Sequence, residues 1–85
     1  MALQMANVTV KFHTIFRELY GKAEINMNAA RLSAALAALA HSEKQKKALR
    51  DAVVLLNGRN VVHLPRGTRL HDGDVIEIFP PAGGG

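Results

Sequence analysis

In "NVTVKFH", Val8, Val10 and Phe12 alternate with Thr9, Lys11 and His13. Period-two alternation of this kind predicts a half-buried strand. "TIFRELYGK" leaves that strand, Gly21 permits a turn, and a second short strand is expected over 23–27, pairing with the first as a hairpin. Asn28 is placed as the N-cap of "AARLSAALAALA", in which Leu32, Leu36 and Leu39 recur at i, i+4 and i+7. The alanines favour helix, and the leucine stripe is the face expected to pack on the sheet.

"SEKQ" at Ser42 to Gln45 matches a capping box and opens a second, short, basic helix ending near Asp51. "AVVLL" is an apolar strand closed by Asn57-Gly58, the dipeptide most diagnostic of a tight hairpin, and 61–64 is assigned as the return strand. "PRGTRLHDGD" carries two turn signals, Pro65-Arg66-Gly67 and Asp72-Gly73. "VIEIF" is the final strand, with Ile76 and Ile78 inward. The economical solution is an α+β fold: a mixed sheet of four to five strands with one main helix packed across it. The only break in composition falls between Phe79 and Pro80. It divides the chain into a domain over 1–79 and a flexible tail over 80–85.

Composition narrows the chemistry. The 85 residues are 48% hydrophobic and 21% charged, which fits one folded domain and not a disordered chain. There is no cysteine, which removes disulfides, thiolate metal sites and a cysteine nucleophile from this chain. A cysteine-free domain of this size fits a reducing cytoplasm. No apolar run approaches the ~20 residues of a membrane span, and "MALQMANVTV" lacks the pattern of a signal peptide. Met5 is an equal candidate for the start, which makes residues 1–4 an appendage.

The net charge of +4 brings nucleic acid and acidic surfaces into consideration. Its densest run, "EKQKKALR", has no aromatic residue on which a base would stack, so it reads as a solvated helix face and nucleic acid is not expected. The four histidines show no metal-ligand spacing. Asp72 and Asp74 flank Gly73 and are read as fixing a turn, not as a catalytic pair. Phe79 falls on the outward parity of its strand and is expected to be an exposed docking anchor. His13, Lys11 and His63 are grouped with it on that surface. The remaining question is the end of the chain, "IFPPAGGG".

The set "FRELYGK", "LLNGRNV" and "LHDGDVIEIFPPAGGG", in that order, resembles the MoaD/ThiS-type sulfur carriers. These are ubiquitin-like β-grasp proteins, among them the small subunit of molybdopterin synthase and the thiamine-pathway carrier. The Phe-Pro-Pro version is closest to the molybdopterin side. The chain departs from the usual pattern at two places. Ala82-Gly83 stands where relatives often carry a larger apolar residue and then a small one, and His13 where they often carry an aromatic or apolar side chain.

The resemblance implies a non-catalytic carrier that binds no cofactor. An E1-like adenylyltransferase would use ATP to activate the carboxylate of Gly85, and a persulfide sulfur would convert it to a thiocarboxylate. The acceptor would be the large subunit of molybdopterin synthase, or else an enzyme of tRNA thiolation or thiamine formation. Conjugation to lysines, as for ubiquitin, is a further reading, and an inert tail on an RNA-binding module is the blandest one. On the carrier reading Gly83, Gly84 and Gly85 lack a Cβ and can thread a narrow channel. Pro80 and Pro81 end the strand and favour extended geometry.

Overall fold

The computed structural model describes residues 4–81, and at its centre lie two parallel strands drawn from opposite ends of that range. In β1 (Ala6–Phe12), Val10 stands beside Ile76 and Phe12 beside Ile78 of β5 (Val75–Phe79). On the other edge of β1, β2 (Glu24–Ala29) runs antiparallel, with Val8 opposite Met27 and Val10 opposite Ile25. β3 (Val53–Leu56) is antiparallel to β5, and β4 (Arg59–Asn60) completes the order β2-β1-β5-β3-β4. Among the described residues three helices accompany the sheet: α1 (Ile15–Tyr20), α2 (Leu32–Leu39) and α3 (Glu43–Asp51). A 3-10 turn covers Val61–His63.

The alternation read from the sequence becomes one core. Val8, Val10, Phe12, Phe16, Ile76 and Ile78 are fully buried, and each such side chain contributes about 1.5–3 kcal/mol relative to exposure. Leu32, Ala35 and Leu39 of α2 join the same cluster, whereas Leu36 is only half-buried at its margin. The capping box forms as expected. Ser42 Oγ accepts from the Gln45 amide at 3.0 Å, and Gln45 Oε1 accepts from the Ser42 amide at 3.1 Å. Asn57 (φ 50) and Gly58 (φ 84) turn the β3–β4 hairpin in the left-handed region that a tight turn of this kind requires.

Three expectations are corrected. Asn28 is not an N-cap, because β2 continues to Ala29, which pairs with Ala6. α2 starts after Arg31, and its first amide, that of Leu32, donates to the Thr68 carbonyl at 2.9 Å. The Leu70 amide donates to Ala30 O at 3.0 Å, so a backbone strap from the loop replaces the capping side chain.

The stretch after β1 is the helix α1, closed by Gly21 in the left-handed conformation (φ 72). It buries Phe16 and stacks Tyr20 on Phe12, with ring centroids 4.3 Å apart. The return strand is only β4. Asn60 Oδ1 accepts from the Val62 amide at 3.0 Å and folds 61–63 into the 3-10 turn instead.

Candidate functional site: the sheet face at the root of the tail

Along β5, Ile76 and Ile78 enter the core while Val75, Glu77 and Phe79 point to the face away from α2. The register places neighbours on that face: Lys11 and Leu55 flank Glu77, and Val53 flanks Phe79. The His13 amide donates to Ile78 O at 3.0 Å, extending the β1–β5 ladder by one step and setting the His13 ring beside Phe79. The two rings stack with centroids 4.1 Å apart and planes 3° from parallel. His13 Nε2 also lies 3.0 Å from Glu77 Oε2, with the two side chains 26% and 29% exposed.

Phe79 is therefore outward, as its parity requires, but half-buried and not exposed. His13 covers it. Val53, Leu55 and Val75 on the same face are half-buried, an apolar strip into which Glu77 and its neighbours Lys11 and His13 are set. His63 stands on the 3-10 turn after β4 and not on a strand of this face.

The chain turns away from His13 through Thr14, a β-branched residue at φ 53. Such a conformation costs about 1–3 kcal/mol and persists only where its surroundings enforce it. Here α1 does so: the Arg17 amide donates to Thr14 O at 3.0 Å, and Arg17 Nε donates to Phe12 O at 3.1 Å. The "FRELYGK" motif thus anchors the end of β1 at which His13 is presented.

The other two motifs interlock, a relationship that their separate reading missed. The Asn57 side chain accepts from the Val75 amide at 2.8 Å and donates to Asp74 Oδ1 at 2.9 Å. Asp74 Oδ2 accepts from the His71 amide at 2.8 Å, and Asp72 Oδ1 accepts from the Asn7 amide at 2.8 Å. Both aspartates are turn-fixing residues, as expected, and together they hold the start of β5. Asn57 was legible only as a turn former; its acceptor and donor were the missing signal.

Beyond Phe79, Pro80 is half-buried, Pro81 is exposed, and neither belongs to a strand. The candidate residues Gly83, Gly84 and Gly85 lie outside the described residues. Among the described residues, no group of three or more histidine and carboxylate side chains is arranged to hold a metal ion. None of the helices there is long and apolar enough to cross a membrane.

Comparison with known proteins defines the class of this fold, that of the ubiquitin-like sulfur carriers and modifiers. The chain belongs to the ThiS family, which it matches over residues 10–85. The solution structure of small archaeal modifier protein 1 from Methanosarcina acetivorans superposes with a TM-score of 0.76 at 29% identity, covering 95% of this chain and 98% of that one. A chain of the Helicobacter pylori complex of molybdopterin-converting factor subunits 1 and 2 gives a TM-score of 0.72 at 29% identity, with coverages of 93% and 99%. Small archaeal modifier protein 3 of Haloferax volcanii is 58% identical over 33 residues. That match spans 38% of this chain and only 36% of the curated relative.

Proposed function

We propose that this chain is a sulfur carrier whose Gly85 carboxylate is adenylated and converted to a thiocarboxylate, donating sulfur in molybdopterin formation. The observation that carries this reading is the junction at Phe79. A central strand, bonded on both sides, ends at an apolar strip and passes into Pro80-Pro81 and a glycine terminus. The likeness to a converting-factor subunit seen in complex with its second subunit supports the choice of acceptor.

A carboxylate resists attack because its charge repels nucleophiles and oxide is a poor leaving group. Joining it to AMP, with pyrophosphate released, supplies the leaving group. A persulfide sulfur of the activating system then displaces AMP. Cleavage of the resulting S–S bond by a second thiol leaves the thiocarboxylate on Gly85 and a disulfide on the partner. This chain contributes no acid or base to those steps; it contributes reach and access. The six residues after Phe79 extend at most about 20 Å, and glycine leaves the terminal carbonyl unshielded. The E1-like enzyme and ATP belong to the partner's side of the reaction.

A second reading is favoured by the identity to small archaeal modifier protein 3: conjugation of Gly85 to lysine. One experiment addresses both. The full chain is incubated with an E1-like enzyme, ATP and a sulfur donor, and intact-mass spectrometry is read on the C-terminal peptide. Exchange of one oxygen for sulfur is the expected result. An unchanged mass with an enzyme proven active on another carrier overturns the carrier reading. High-mass lysine adducts of the tagged chain in cells would establish the second.

A further inference from the structure

On the helix side of the sheet, opposite Phe79, a groove of about 480 Å³ runs between α2 and the segment after β4. That volume falls within the roughly 300–1,000 Å³ of ligand-binding sites. Its walls are Leu32 and Leu36 of α2 and, across from them, Val61, Val62 and Leu64, joined by Arg66. Val62 is 75% exposed, an unusual position for a branched aliphatic side chain in a domain this small.

The wall that presents Val62 is built, not loose. Asn60 Oδ1 holds the Val62 amide at 3.0 Å, Thr68 Oγ1 donates to Pro65 O at 2.6 Å, and Arg31 Nη1 donates to Gly67 O at 2.7 Å. A preformed groove binds without first having to be ordered.

Charge says what fits it. Among the described residues, Arg66 is the one charged side chain that lines the groove, and no acidic residue lines it. All seven acidic residues of the protein fall elsewhere. An apolar trough with an arginine on one wall, in a chain of net charge +4, complements a segment that carries both aliphatic side chains and carboxylates. A single-stranded nucleic acid suits it less, because no aromatic side chain lines the groove for a base to stack on.

We propose that this groove docks an acidic peptide segment of a partner protein, with aliphatic side chains against Leu36 and Val62 and carboxylates toward Arg66. The site is separate from the Phe79 face, so a partner held here leaves that face and the tail free for an enzyme. The groove would tether the carrier, and the tail would do the delivering.

The test pans a phage-displayed random dodecapeptide library against the full chain and then titrates the recovered peptide, made synthetically, into the 15N-labelled protein. Support is recovery of peptides rich in Leu or Ile together with Asp or Glu, which saturably shift the amides of Ser33, Leu36, Val62 and Arg66 and not those of Val53 and Phe79. Val62→Asp and, independently, Arg66→Glu then weaken binding by more than about tenfold. Both variants keep the wild-type Gly85 mass exchange, so failure here is distinct from failure of the carrier reading. Basic or uncharged winning peptides, shifts confined to the Phe79 face, no saturable binding, or a U-rich oligonucleotide that shifts the same amides in the peptide's place would overturn the proposal.

Discussion

The His13 and Phe79 rings lie face to face, 4.1 Å apart, at the point where the central strand passes into Pro80. A stacked pair of this kind is worth about 0.5–1.5 kcal/mol beyond the area it buries. It also keeps Phe79 in one position on the sheet while leaving part of the ring open.

That geometry divides the effects of Phe79→Asp. Loss of a half-buried ring and its stack is expected to cost about 1 kcal/mol of folding stability. Affinity for the acceptor subunit is expected to fall by ~2 kcal/mol or more, the usual loss at an aromatic anchor. Urea denaturation and a binding titration on the same variant separate the two. A folded variant that binds normally removes Phe79 from the docking surface. One that is badly unfolded makes it a core residue.

Deletion of Gly84-Gly85 is expected to abolish sulfur loading while shifting the melting temperature little. The last strand ends at Phe79, and terminal residues beyond an element seldom carry much of the fold's stability. Calorimetry beside the mass assay checks both halves, and a large drop in melting temperature contradicts the prediction.

Asn57→Ala removes the acceptor of the Val75 amide and the donor to Asp74, and it leaves a non-glycine residue without compensation at φ 50. A loss of about 1–3 kcal/mol is expected in denaturant titrations. Asn57→Gly restores the backbone freedom but not the hydrogen bonds, so it is expected to fall between alanine and wild type. Equal losses in the two variants would assign the whole effect to the side chain.

Burial pushes the Tyr20 phenol above its ordinary value of 10.0, because desolvation disfavours the phenolate. The folded protein thus holds this proton more tightly than the unfolded chain does. The stability it contributes is complete below the unfolded value and declines as pH rises through 10.0 toward the higher folded value. Tyr20→Phe also loses the 2.6 Å bond to Leu39 O, about 1 kcal/mol, so it is expected to be less stable at neutral pH. Its stability falls less steeply as pH rises above 10.0. Parallel alkaline slopes for the two proteins would refute this assignment.

Strand parity made much of this legible in the sequence. Val8, Val10, Phe12, Ile76 and Ile78 were placed inward by alternation alone, and Ser42 with Gln45 gave the start of α3. What escaped depends on tertiary partners. α1 is six residues long, too short for a helical period to show, and Phe16 is buried by its contacts and not by any pattern. The start of α2 is fixed by Thr68, far along the chain, so a local search for a cap selected Asn28 instead. At the site, parity placed Phe79 on the correct face, but the covering of its ring by His13 depends on a ladder bond between residues 13 and 78.

The parallel pairing of β1 with β5 makes the His13–Phe79 face a report on the state of the whole chain. Val53 and Phe79 lie on β3 and β5 and His13 just past the end of β1, and their register is set only when residues some 65 positions apart have met, as Thr9 meets Val75. A copy that is truncated, clipped or misregistered breaks up that row before it loses any single residue of it. On the proposed function, an activating enzyme that gripped this row would read structural integrity along with identity.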